Sequence, residues 1–326
     1  SQPLGLCFAL LDQNQHSNGS LMAAVLFFSP ARLYNRDDEE VNMNTVPPVR
    51  PSPIAGSWYS DKPAALSKEI EEYLSSADLP PLDGDLVGLI APHAGYFYSG
   101  STAGYAYRAV QDMHFDLCVV VSPLHNYLPY ALLSSAHSAY STPLGKVNVD
   151  QDLLNKLDSQ LTENGLPGVQ LIANDREHSL EIQLPFLQTA LSGSFRLLPL
   201  MVRTYDAEFL QKSAGILAEL IRGQKTLLVA STDLSHFYDE NTANALDEVM
   251  LKRMSDFSPL GVLQAEANEE GFACGSGAVA LVLWTAKALG ADKVTLLHHT
   301  TSARASGDSS SVVGYGALAI TRQEGI

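Results

Sequence analysis

Three short apolar runs, each leading into a polar loop that holds a histidine, constrain the fold of this chain most strongly. The runs and their histidines are 86–91 with His93, 117–121 with His125, and 226–230 with His236. Short, continuously apolar runs are typical of strands buried on both faces of a parallel sheet. Because the carboxyl ends of parallel strands meet along one edge, where ligands bind in open α/β sheets, we expect the three histidines to converge there.

The segments between these runs have the pattern of helices. An amphipathic helix is predicted over 207–222, and another over 177–191 that restarts at Pro185. Further strands are predicted at 196–202 and 293–298. Alternation of strands and helices predicts an α/β fold in which a mostly parallel sheet is covered on both faces.

The composition excludes several classes of protein. Of the 326 residues 46% are hydrophobic and 17% are charged, which is typical of a globular chain with a sizeable core. The net charge of −16 argues against a nucleic-acid partner. No apolar run reaches the roughly 18 residues that a membrane span needs, so we expect no membrane partner. The three cysteines, Cys7, Cys118 and Cys274, form no CxxC pair, which favours a reducing cytoplasm.

The first 49 residues differ from the rest. They contain an acidic run at 37–40 and lead into a proline-rich connector, and both Met22 and Met43 are candidate true starts. We therefore expect an N-terminal extension, residues 1–49, that is either flexible or mis-started, followed by the functional domain, residues 50–326.

Several side chains near the predicted sheet edge are candidates for chemistry. His93 and His125 could bind one ligand together, or each could cap the next helix. Asp233 lies three residues before His236, so its carboxylate could orient that imidazole as a general base. The alternative is a helix-capping aspartate beside a surface histidine.

Cys274 lies between two small residues at a predicted helix start. The helix dipole there favours the thiolate, which binds metals or attacks carbonyl groups, and the small neighbours leave room for a ligand. The alternative is a small buried hydrophobic residue. His178 and Glu181, three apart on a predicted helix face, could both be ligands, although a structural or supporting role is favoured.

These residues allow two chemistries. Two histidines with one anionic side chain resemble the facial arrangement that binds Fe(II), and a thiolate shifts the preference towards Cu(I) or zinc. Alternatively, Cys274 and His236, with Asp233 as the orienting group, could form a metal-free nucleophilic pair. Spacing alone leaves both open.

At these residues the chain resembles the Memo family, named for a mediator of cell motility. The matching stretches are Ala55-Gly-Ser-Trp-Tyr59, Ala91-Pro-His-Ala-Gly-Tyr96, Ser122-Pro-Leu-His125, Tyr140-Ser-Thr-Pro-Leu144, Glu177-His-Ser-Leu-Glu181, Ser231-Thr-Asp-Leu-Ser-His236, Cys274-Gly275 and Asp308-Ser-Ser-Ser-Val-Val-Gly-Tyr315. The resemblance covers essentially residues 50–321 in order. The 231–236 motif and the Val-Val-Gly-Tyr ending look more like the prokaryotic branch, whose members are labelled AmmeMemoRadiSam system protein B.

The resemblance implies a three-layer α/β/α domain with a mostly parallel mixed sheet, similar to class III extradiol dioxygenases. It implies a metal site formed by His93, His125 and Cys274, with His236 and Asp233 beside it as catalytic residues. Four more residues would support the site or contact substrate, namely Tyr96, His178, Glu181 and His299. In the dioxygenases a glutamate takes the place of Cys274, which argues against ring cleavage here.

The resemblance also implies ligands and partners. The metal would be iron or copper, with zinc as an alternative, and the ligand a small molecule or a peptide. Radical-SAM and AMMECR-like proteins are the implied partners. Two departures, His125-Asn126 where animal members have His-His and His299 where an aromatic residue is expected, would alter the substrate wall.

Three functions are consistent with this sequence. The first is a metal-dependent redox protein with an oxidoreductase-type site. The second is a non-enzymatic module that binds peptides or proteins in the same cleft, and the third is a metal-free Cys–His hydrolase.

Overall fold

Four parallel strands at the centre of a mixed nine-stranded sheet determine where the functional loops lie. The computed structural model describes residues 46–323. The predicted extension, residues 1–49, lies outside the described residues except for 46–49. In spatial order the central strands are β2 (Asp85–Ala91), β9 (Thr226–Ser231), β3 (Leu117–Pro123) and β8 (Arg196–Val202). All three neighbouring pairs are parallel, so the four carboxyl ends lie side by side along one edge.

Antiparallel strands complete the sheet on both sides. Beside β2 lies β12 (Val312–Arg322), which also pairs with β11 (Lys293–Thr301) and with the short β10 (His236–Tyr238). Beside β8 lies β4 (Leu132–Ser135), which pairs in turn with β7 (Gln170–Ile172). A separate small sheet contains β1 (Val49–Arg50), β5 (Ala139–Thr142) and β6 (Gly145–Asn148).

Helices flank the large sheet, so the predicted α/β class is confirmed. Helices α1 (Pro63–Ser76), α2 (Tyr96–Arg108) and α4 (Leu184–Ala190) pack together, and α2 contacts β2, β11 and β12. A second group packs through α8 onto the four central strands; it contains α5 (Ala207–Ile221), α6 (Glu240–Ser255), α7 (Pro259–Ala267) and α8 (Ser276–Ala288). Helix α3 (Gln151–Glu163) packs on α5, and α9 (Ala303–Ser306) is a single turn.

The predicted helix over 177–191 is wrong in its first half. Only a 3-10 turn at Glu181–Gln183 and α4 are helical there. Residues before the turn form a loop because the backbone carbonyls of Asp175 and Glu177 accept hydrogen bonds from the buried Arg50 guanidinium, at 3.3 and 2.7 Å. A carbonyl engaged in this way is not positioned for an intrahelical bond.

None of the helices within residues 46–323 has the length and apolar character needed to span a membrane.

Candidate metal centre

The sheet order brings three sequence-distant loops together. His93 follows β2, Asp233 follows β9 and His125 follows β3, and β9 lies between the other two strands. Cys274, just before α8, joins them from a different segment, because its backbone N–H donates to the carbonyl oxygen of Asp233 at 3.2 Å. His93 and His125 therefore converge at the carboxyl edge as predicted, whereas the third histidine of the prediction, His236, begins β10 and is not among the grouped donor atoms.

Three donor atoms in this cluster have the spacing of metal ligands. One ring nitrogen each of His93 and His125 and the Sγ atom of Cys274 all lie within 4.8 Å of one another. Nε2 of His93 is 3.1 Å from Sγ. Ligands bound tetrahedrally at about 2.0–2.3 Å are roughly 3.3–3.6 Å apart, so small side-chain rotations suffice to bind one ion.

The hydrogen-bond network fixes which nitrogen of His93 is free. Gln183 donates from Nε2 to the Pro92 carbonyl and to Oγ of Ser231, at 2.9 and 2.8 Å. Ser231 uses its single hydroxyl proton on the Ser179 carbonyl at 2.6 Å. Its oxygen therefore accepts from Nδ1 of His93 at 2.9 Å, and Nε2 keeps its lone pair facing Cys274.

Glu177 determines which ring nitrogen of His125 is free. Its Oε1 accepts Nδ1 of His125 at 2.9 Å, and its Oε2 accepts the backbone N–H of the same residue at 2.7 Å. The backbone N–H groups of His178 and Ser179 also donate to Oε1. Burial raises the pKa of Glu177, but the hydrogen bond and charge of His125 outweigh it and hold the pKa well below its usual range. An ionised Glu177 fixes the imidazole so that Nε2 is free for a ligand.

Glu177 also belongs to a second group of three candidate ligands, with His125 and His178. Its carboxylate, however, already accepts four hydrogen bonds. The group of His93, His125 and Cys274 is the better candidate because its free donor atoms face one another.

Replacing Glu177 with glutamine is expected to lower metal affinity about 10- to 100-fold, since the amide cannot accept all four hydrogen bonds and no longer carries charge. The comparison is metal affinity by competition with a chelator, beside thermal unfolding of the metal-free protein. Glu208→Gln, at an exposed glutamate paired with Lys212, serves as control and should bind metal like the wild type. Equal affinity in both variants would exclude this role for Glu177.

The environment lowers the pKa of His93 and of His178, whereas for His125 burial is outweighed by Glu177, which raises the pKa. Burial and the nearby His178 and His125 lower the pKa of His93 well below its usual value. Burial likewise lowers the pKa of His178 to about 4, and that ring stacks on His125 with centroids 4.7 Å apart. Neutral imidazole is the form that binds metals, so His93 needs no proton loss at neutral pH.

Cys274 is a half-buried residue whose thiol is protonated in the absence of a metal ion. Burial and the adjacent Asp233 raise its pKa well above the usual value. The prediction that the helix start favours the thiolate therefore does not hold for the metal-free site. The alternative nucleophilic pair of Cys274 and His236 would lack the thiolate that attacks a carbonyl group. A bound metal ion would supply the positive charge that deprotonates the thiol.

Gly275 has a structural role that the sequence interpretation missed. A Cβ atom there would lie 2.4 Å from the carbonyl oxygen of Ser231 and 2.8 Å from Cβ of Thr232. The glycine lets the start of α8 approach the end of β9. The small size of Gly275 therefore allows close backbone packing and does not provide access for a ligand.

Asp233 contacts His93 instead of His236. It accepts the backbone N–H of His93 at 2.7 Å, and its other oxygen is 4.0 Å from Nε2 of that residue. The predicted orientation of His236 by Asp233 is not seen, because Nδ1 of His236 lies 2.8 Å from the carbonyl oxygen of Leu234. Burial raises the pKa of Asp233 to about 7, against the effect of the His93 and Ala94 N–H groups. Asp233 is therefore the group best suited to carry a proton beside the donor atoms.

Three other predicted site residues lie outside the donor cluster. The Tyr96 hydroxyl donates to the Ile182 carbonyl at 2.9 Å inside an aromatic core. Glu181 accepts hydrogen bonds from Arg50 and from Tyr59. His299 pairs with the buried Asp247 at 2.8 Å. Their contacts are those of structural residues, whereas His178 stacks directly on His125.

The supporting residues Glu177, Gln183 and Ser231 were not identified from sequence as parts of the site. Glu177 directly precedes His178 in a motif that we interpreted through His178 and Glu181. Ser231 is the last residue of β9. Its position at the end of a strand is the sequence feature that could have identified it as part of the site.

Comparison with known proteins gives a consistent result. A family model described as Memo-like protein matches residues 50–319. A MEMO1 family protein of Nitrosopumilus maritimus is 31% identical over 281 residues, covering 83% of this chain and 98% of that protein. Those of Methanopyrus kandleri and Methanosarcina barkeri are 32% and 30% identical, covering 82% and 83% of this chain and 98% and 100% of those proteins.

One solved structure, of an uncharacterized protein from Escherichia coli K12, aligns with a TM-score of 0.48 at 15% identity over 71% of this chain and 99% of that chain. A likeness this low supports no inference.

Proposed function

The chain belongs to the Memo family, and from its donor cluster we propose that it binds a redox-active metal ion, iron or copper, through Nε2 of His93, Nε2 of His125 and Sγ of Cys274. The observation that carries the proposal is the orientation of both imidazoles. Separate hydrogen-bond networks hold Nδ1 of each ring, so that both Nε2 atoms are free beside one sulfur atom.

The chemistry of the donor set supports this choice of metal. Two imidazoles and one thiolate form a site for soft or borderline ions, which includes copper, iron and zinc. Three protein ligands leave coordination positions open, as in catalytic sites and not in closed structural ones. The side chain of His125 is 40% exposed, so an open position would be reachable from solvent.

When bound, the metal would supply electron transfer or polarisation of a substrate group. The chain's own residues supply the rest. Asp233 would hold or release a proton next to His93. His236, whose pKa is lowered by burial, would be a further proton acceptor. His178, stacked between His125 and Trp58, would keep the ligand ring in place.

Anaerobic reconstitution with iron, copper or zinc tests the proposal. We expect one tightly bound ion per chain, and loss of that ion in His93→Ala and in His125→Ala with unfolding cooperativity retained. His114→Ala is the matched control, because His114 is an exposed histidine that pairs with Asp116 away from the cluster.

Failure of the wild type to bind stoichiometric iron or copper would contradict the proposal, even if zinc were bound. It would favour the peptide-binding alternative, for which an aromatic pocket of about 500 Å³ beside the cluster is the natural site. Trp58, Phe97 and Phe237 are among its lining residues.

A further inference from the structure

Arg203 directly follows β8, much as His93 and His125 follow β2 and β3 two residues after each strand ends. Strand β8 lies next to β3 in the sheet, so the residue that follows β8 reaches the same carboxyl edge. The strand over 196–202 was predicted from its apolar pattern, but Arg203 was not among the candidate site residues. The strand order thus adds a guanidinium group to the loops that form the donor cluster.

Arg203 lines a cavity of about 250 Å³ that it shares with His125 and Cys274. It is the only Lys or Arg among the residues that line this cavity. Apolar side chains form much of the remaining wall, namely Pro123, Leu124, Val202 and Ala278. The cavity can therefore hold a small molecule with one apolar part and one charged group next to the proposed metal position.

The guanidinium group is held in place but has no acidic partner. Nη1 donates to the carbonyl oxygens of Leu124 and Asn126 at 3.0 and 3.2 Å, and the group lies over the ring of Tyr127. Within residues 46–323 no carboxylate forms an ion pair with it, and its buried Nε has no hydrogen-bond partner.

Two acidic residues near Cys274, Asp233 and Glu266, do not fill this role. The Asp233 carboxylate accepts backbone N–H groups on the His93 side, and that of Glu266 accepts the backbone N–H of Ala273 at 2.8 Å. Neither residue lines the cavity. A fixed guanidinium without a carboxylate partner in a partly apolar cavity is a recognition group for a carboxylate. Because Nη1 already donates to two carbonyl oxygens and Nε is buried, Nη2 is the nitrogen that can donate to such a ligand.

We propose that Arg203 is the anion-binding residue of this site and that the ligand is a small carboxylic acid with an apolar remainder. The carboxylate binds Arg203, while the apolar part lies against Leu124, Val202 and Ala278 next to His125 and Cys274. The role of the bound carboxylic acid as a substrate rests on the proposed function. Its binding does not, because Arg203 carries its charge whether or not metal is present.

Calorimetric titration with benzoate, and with its neutral counterpart benzamide, tests the inference on iron-loaded and on metal-free protein. We expect one saturable benzoate site in the wild type and no comparable benzamide binding. Arg203→Gln, which keeps hydrogen-bond donors but removes the charge, should weaken benzoate binding about 10- to 100-fold. Arg222→Gln, an exposed arginine paired with Glu219, is the control and should bind benzoate like the wild type.

The outcomes separate this inference from the metal proposal. Iron content and thermal unfolding are measured on every sample. Equal binding of benzoate by the wild type and a folded Arg203→Gln, equal binding of benzamide and benzoate, or no benzoate binding at all would overturn the role of Arg203. Failure to load iron would overturn the proposed function alone, because the titration of metal-free protein still reports on Arg203.

Discussion

Replacing Cys274 with alanine is expected to lower the affinity for iron or copper by more than about 100-fold. Loss of a group that only supports a metal ligand costs 10- to 100-fold, so loss of the sulfur donor itself should cost more. The two remaining imidazoles would still be oriented by Ser231 and Glu177. Chelator competition under anaerobic conditions measures the change in affinity.

Two further cysteine variants make this result specific. Cys118→Ala removes the other described cysteine, which is buried within β3, and should leave metal binding unchanged. Cys274→Ser replaces sulfur with a harder oxygen donor, and its affinity should fall between those of alanine and the wild type. Wild-type metal affinity in Cys274→Ala would contradict the assignment of the thiolate as a ligand.

Replacing Arg50 with methionine is expected to lower the free energy of unfolding by about 3–5 kcal/mol. The Arg50 side chain is 1% exposed and pairs with Asp175 at 2.8 Å and with Glu181 at 2.5 Å. Methionine would leave both carboxylates buried without a cation, which is the costly way to break a buried ion pair. Urea unfolding at neutral pH, analysed with a common slope, measures the loss.

The same substitution should also weaken metal binding, because Nη2 of Arg50 donates to the Glu177 carbonyl and so fixes the loop that orients His125. Arg222→Met removes an exposed arginine of an i, i+3 pair and should leave the free energy of unfolding nearly unchanged. Adding Glu181→Gln to Arg50→Met should recover part of the stability, since one unpaired charge is removed. A loss in Arg50→Met no greater than that in Arg222→Met would contradict the account of the buried network.

Most of the fold could be predicted from periodicity. The central strands are continuously apolar because helices cover both faces of the sheet. Their positions at 86–91, 117–121 and 226–230 could therefore be predicted. The loop before the 3-10 turn could not be read, because it depends on a contact between Arg50 and residues more than a hundred positions later. Local helical spacing carries no information about such a partner.

The convergence of His93 and His125 could be predicted from the sequence, whereas the residues that orient them could not. His93 and His125 follow strands, and the strand ends alone indicated that they converge. Asp233 contacts His93 and not His236, because it accepts the backbone N–H of His93. The raised pKa of Cys274 depends on burial. Spacing along the sequence reveals neither. Arg203 could not be identified as a site residue from the sequence, because an arginine after a strand is common on protein surfaces. Only the order of the strands in the sheet shows which loops lie beside it.

X-ray absorption spectroscopy at the metal edge of anaerobically iron-loaded protein tests the central claim most directly. The account predicts one sulfur neighbour at about 2.3 Å together with imidazole nitrogens, and loss of the sulfur contribution in Cys274→Ala. A wild-type spectrum with only nitrogen and oxygen neighbours would contradict a metal site formed by His93, His125 and Cys274.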